Sequence, residues 1–311
     1  MTVLSLAASG CVVVHGEREV LPAATPTEAA EALKDFTAAY NKADKAYDRA
    51  LDADYVTGAL GAIDAARLDA GREVSPAGNP SYVPLEFTDT RFTIPKKAGW
   101  PRWFVANADA NKGDEARWLL VFTRSNVAEP WAVAYLTLLD PDDVPAFKTD
   151  KDGLAEPVTV NSAELAVAPK DLSAAYATYL KGGGDVFAPG VHTSGWVAQR
   201  KKNAIKPGLV TQYIDEPLAK DDFAPLGLRT ADGGALVFFA THHYEKQTAA
   251  LGTSIPTPSD SVRALTTGEI KQSLTLEFVS NQVVLDPGKG AANRSVEFLS
   301  RIQGLTAAQG E

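Results

Sequence analysis

A change of hydrophobic period constrains this chain more than any other feature. From Pro26 to Leu51, Leu33, Phe36, Tyr40, Ala43, Tyr47 and Leu51 recur at spacings of three and four. That spacing lines one face of an α-helix. Thr25-Pro26-Thr27-Glu28 opens it: a threonine cap, a proline at the first helical position and a glutamate that can close a capping box. Lys34, Asp35, Lys42, Lys45 and Asp48 form the solvated face, and a second helical stretch is expected from Val56 to Ala70. After Pro80 the period becomes two. Leu85 and Phe87, Phe92 and Ile94, Trp103 and Val105, then Trp118, Leu120, Phe122, and Trp131, Val133, Tyr135 alternate between turn residues. This predicts an antiparallel meander with Lys112-Gly113-Asp114 at one hairpin tip. An amphipathic helix followed by a meander implies that the helix covers one sheet face.

The order then recurs. Residues 140–168 hold Pro141, Pro145, Pro157 and several aspartates, and read as a linker. Lys170-Asp171-Leu172-Ser173-Ala174-Ala175-Tyr176 follows, matching Lys34-Asp35-Phe36-Thr37-Ala38-Ala39-Tyr40 at five of seven positions. Strands are expected at Leu209–Tyr213, Leu226–Leu228, Leu236–Ala240, Leu274–Phe278, Val283–Leu285 and Val296–Phe298. The expectation is an α+β chain of two tandem domains, 25–139 and 169–305. Each would be an amphipathic helix on a curved antiparallel sheet of the cystatin-like or NTF2-like kind. Residues 1–24 read as a signal and tether, and 306–311 as a tail.

Cys11 is the only cysteine. Ala8-Ser9-Gly10 before it are small, as a lipoprotein peptidase requires, and the Pro-bearing segment 12–26 suits a spacer. Cys11 is therefore expected to carry a lipid and hold the protein on the outer, extracytoplasmic face of the cell membrane. The alternative is a small buried residue in a strand Cys11–Val14. Ten residues precede Cys11 and none is Lys or Arg. Export signals are roughly 15–30 residues with a basic start, so the true start is expected upstream. No apolar run approaches the ~20 residues of a spanning helix. A net charge of -9 argues against nucleic acid as a partner. Arg200-Lys201-Lys202 with Lys206 runs against that balance and reads as solvated surface, or as a contact with anionic headgroups.

Signatures of chemistry are missing. There is no G-x-S-x-G elbow, P-loop or dinucleotide fingerprint, and Asp140-Pro141-Asp142-Asp143 lacks EF-hand spacing. No metal or cofactor is expected. Of His15, His192, His242 and His243, the last two fall on one predicted strand and face opposite ways. His242 shares a face with Leu236, Phe238 and Ala240, the expected concave side, and with Tyr244, Tyr213 and Trp196 is the candidate pocket. Trp100, Trp103, Trp118 and Trp131 fall in the first sheet, as core or as an exposed stack for a ligand. The function expected is binding of an unknown small ligand or protein without catalysis. The alternative is a pocket enzyme of isomerase or dehydratase type, moving a proton through His242 and a tyrosine.

The chain as a whole resembles a family of streptomycete lipoproteins of unknown function. The resemblance is carried by Cys11-Val12-Val13-Val14-His15-Gly16-Glu17-Arg18-Glu19, Lys34–Asn41, Gly99-Trp100-Pro101-Arg102-Trp103-Phe104-Val105 and Asp222–Thr230. It implies surface attachment through Cys11 and no known activity.

Overall fold

The computed structural model describes residues 20–311; Cys11 and most of the expected tether lie outside them. The strands are β1 (Val20–Pro22), β2 (Phe87–Thr93), β3 (Lys96–Ala98), β4 (Arg102–Ala110), β5 (Arg117–Arg124), β6 (Ala132–Leu139), β7 (Ile205–Lys206), β8 (Leu209–Leu218), β9 (Leu226–Arg229), β10 (Ala235–Ala249), β11 (Thr266–Thr267), β12 (Ser273–Asp286) and β13 (Glu297–Gly310). The helices are α1 (Pro26–Ala46), α2 (Gly58–Val74), α3 (Pro169–Gly182), α4 (Ser194–Asn203) and α5 (Asp260–Ala264). The fold is α+β. α1 starts where its capping box places it: Thr25 Oγ1 accepts from Glu28 N–H at 3.1 Å, and Glu28 Oε2 accepts from Thr25 N–H at 2.8 Å.

The first sheet is antiparallel in the order β2-β4-β5-β6; the second runs β11-β13-β12-β10-β8-β7 with β9 also on β10. Strand alternation sends side chains to two faces, and in the first sheet both are buried. Phe104, Ala106, Leu120 and Phe122 meet Leu33 and Phe36 of α1. Trp103, Val105, Leu119 and Val121 face the other way and meet Leu228, Leu236, Phe238 and Ala240 of the second sheet. The outer face of that sheet, Ala235, Val237, Phe239 and Val284, is covered by Leu172, Tyr176 and Leu180 of α3. The layers are therefore helix, sheet, sheet, helix. Phe36 and Leu172, which match in the two similar heptapeptides, each anchor an outer helix. Nothing in the periodicity says that the two sheets stack on each other.

α2 joins the halves a second time by packing on β6, β12 and β13. Ile63 of α2 lies over Gly304 of β13, where an added Cβ would overlap the isoleucine side chain. Glycine is required there by the close approach.

Three expectations change. Residues 140–168 are more than a connection: Ala155 bridges to Pro95, Pro157 to Leu228 and Leu165 to Gly288, and Ala155, Phe147, Leu165 and Val158 pack into the two cores. The expected strands at 274–278 and 283–285 are one strand. Ser280, Asn281 and Gln282 between them look like a turn, yet each is buried and bonded: Ser280 Oγ with Gln303, Asn281 Oδ1 from the Leu136 N–H, and Gln282 Nε2 to Thr241 at 2.6 Å. Residues 306–310 of the expected tail complete β13, whose polar sequence hides it.

Candidate functional site

β10 meets the first sheet as far as Ala240, and Thr241–Ala249 continue the strand beyond the shared core. There His242 and Tyr244 share one face, while His243 and Glu245 share the other. Tyr244 pairs across with Glu277 of β12 and Ile214 of β8. The Tyr244 hydroxyl lies 3.1 Å from His242 Nδ1, and His242 Nε2 lies 2.7 Å from Glu277 Oε1. With the ring proton on Nε2, Nδ1 accepts from the tyrosine, while Nε2 itself has no partner of hydrogen-bond geometry among the described residues. Burial and the nearby Glu277 and Glu216 raise the Tyr244 phenol above its usual value. Ile214 and Val210, 45% and 46% exposed, extend this face along β8.

The opposite face is closed by α4. Trp196 is buried and meets the His243 ring edge-on, and His243 stacks on Phe278 with centroids 4.8 Å apart. Arg200, one turn after Trp196, lies over the indole and makes a bidentate pair with Asp215 at 2.8 and 2.9 Å. The Arg301 guanidinium from β13 also lies over Trp196. Burial, with Arg200 nearby, lowers the Arg301 group to about 10. Burial lowers His243 as well. Burial, then Glu245, raises Tyr213.

The four expected pocket residues therefore separate into two pairs. His242 and Tyr244 lie together on the open face, and Trp196 and Tyr213 lie on the other side of the sheet around Arg200. The sequence places 242 and 244 on one face but cannot supply Glu277, whose position depends on the β10–β12 register.

A second polar cluster was not anticipated. Arg67 of α2 donates to Asp64 Oδ1 from Nε at 3.1 Å and from Nη2 at 2.8 Å, and to Asp44 Oδ1 at 2.6 Å. Asp52 is 1% exposed, and neither of its oxygens has a donor. Burial, then the Asp64 carboxyl, raises Asp52 to about 8. One arginine cannot offset three buried carboxylates, so the Asp52 carboxyl, beside Asp64, is pushed towards its protonated form. Asp52 borders a cleft of ≈ 480 Å³ lined by Val56, Gly61 and Ala65. Among the described residues no group of three or more His, Cys, Asp or Glu is arranged to hold a metal ion, and no helix is long and apolar enough to cross a membrane.

Residues 20–310 match the family described as a domain of unknown function (DUF8094). The chain is 66% identical over 310 residues to an uncharacterized lipoprotein of Streptomyces coelicolor and 64% identical to one of Streptomyces avermitilis; each match covers 100% of this chain and 93% of the relative. A second S. coelicolor lipoprotein, also uncharacterized, is 25% identical over 226 residues, 68% of this chain and 62% of its own. No solved structure matches. The chain belongs to the DUF8094 family.

Proposed function

We propose, from membership of that family, that this protein is a lipid-anchored extracytoplasmic binding module. Cys11 would be the anchored residue and the His242–Tyr244–Glu277 face the binding surface. Supporting the anchor are the two relatives called lipoproteins that align along the whole chain and the small residues before Cys11. One observation carries the binding surface: a phenol hydrogen-bonded to an imidazole, with a carboxylate 2.7 Å from the other ring nitrogen, lies beside half-exposed Ile214, and half-exposed Val210 continues the face along β8. Aromatic and aliphatic area with a few placed polar groups is the composition of a recognition patch. A photo-crosslinking residue at 214, in the anchored protein in a streptomycete host, should give a discrete adduct that Tyr244→Ala suppresses. The same residue at the exposed loop position Val127 should not. Equal labelling at both positions would refute this surface.

The His242–Tyr244 contact also favours a second reading, in which the pair moves a proton on a bound substrate. Catalysis by such a pair works best with water excluded, and this face is partly open. The readings separate on Tyr244→Phe. That change keeps the ring and removes the proton, so turnover would vanish under the enzymatic reading while the crosslink at 214 persists under the binding reading.

A further inference from the structure

The described chain begins on a small two-stranded ribbon. β1 pairs antiparallel with β3, Val20 opposite Ala98 and Pro22 opposite Lys96. Cys11 is nine positions before Val20, and nine residues reach at most about 30 Å when fully extended. A lipid at Cys11 would therefore hold this ribbon close to the bilayer surface. The composition of the ribbon fits that place. Val20 is 57% exposed and Leu21 38%, and Trp100, just after β3, is 38% exposed. The Arg102 and Arg124 guanidiniums lie 4.9 and 5.5 Å from the centroid of the Trp100 ring. Arg102 Nη1 also donates to the Pro22 carbonyl at 3.4 Å, which fastens the ribbon to the first sheet. Lys97 lies opposite Leu21. Two neighbouring charges are offset, Lys96 by Asp150 and Arg124 by Glu28.

Indole rings favour the membrane–water interface, where one edge is apolar and the other wet. Lys and Arg beside them are attracted to anionic headgroups. The rest of the surface opposes such contact, because the chain carries a net charge of -9. We propose that Val20, Leu21 and Trp100, with Lys97 and Arg102, form a second, protein-borne contact that seats this end of the fold in the headgroup layer of an anionic bilayer. The contact rests on the reading of Cys11 as the attachment point and adds a fixed orientation to it.

The single cysteine makes the test direct. The full chain, coupled through Cys11 to a maleimide lipid, is placed on vesicles of phosphatidylglycerol and phosphatidylethanolamine with brominated acyl chains. The difference between wild type and Trp100→Phe isolates this indole from the other four. We expect its emission to fall on these vesicles, because an indole at the headgroup level lies within reach of the brominated chains. Phosphatidylcholine vesicles or Arg102→Gln should give less quenching. Unquenched Trp100 on coupled protein would overturn the proposal. So would quenching that survives Trp100→Phe, because the bilayer would then meet another face, such as Lys201, Ile205 and Lys206, and a surface left dry would point to a protein partner instead. Chemical coupling makes this result independent of the cell's own lipidation. That is tested separately, by loss of acyl-chain incorporation in Cys11→Ser.

Discussion

Replacing Asp52 by asparagine should stabilise this protein, and only above mildly acidic pH. Asp52 is buried, both of its oxygens lack a donor, and its only partner is a carboxyl already held by Arg67. Its pKa is raised from 3.8 to about 8. Between those values the native state keeps a proton that the unfolded chain has released, so stability falls as pH rises. The stabilising effect of the proton is complete below about pH 4 and gone above about pH 8. At about 1.4 kcal/mol per pH unit, a displacement of roughly four units amounts to about 5 kcal/mol. Asparagine has nearly the same shape, donates an N–H towards Asp64 and cannot ionise. Urea unfolding followed by tryptophan emission from about pH 3.5 to about pH 8.5 should show wild type losing several kcal/mol relative to Asp52→Asn. The two should converge at the acid end. Asp286, raised to about 7 chiefly by burial, tilts both curves equally and cancels in the difference. Parallel curves would refute the shared proton.

Gly304→Ala should destabilise the fold by about 1–3 kcal/mol through overlap with Ile63, and adding Ile63→Ala should recover part of that loss in a double-mutant cycle. Asp215→Asn leaves the Arg200 guanidinium buried without its counter-charge, so a loss of about 3–5 kcal/mol is expected by denaturant titration.

The helix capped by Thr25, the meander after Pro80 and the helix that opens the second half at Pro169 were all legible, because capping chemistry and period are local properties. β12 and β13 were only partly legible. Ser280, Asn281 and Gln282 look unsuited to a strand interior until Thr241, Leu136 and Gln303 arrive from elsewhere to bond them. The site divides in the same way. That His242 and His243 face apart follows from the pleat. That His242 meets Glu277, while Trp196 and Tyr213 end up behind the sheet with Arg200, follows from register and from where α4 docks.

By itself the sequence determined most of the elements and the faces along each of them, since these depend on neighbours a few residues apart. Only the tertiary structure decided that the two sheets bury each other, that burial beside Asp64 raises the Asp52 carboxyl and that Val20–Pro22 pairs with Lys96–Ala98. Each of those depends on groups far apart in the chain meeting where water is excluded. There, an unpaired charge or an uncovered apolar face carries a cost that no local pattern records.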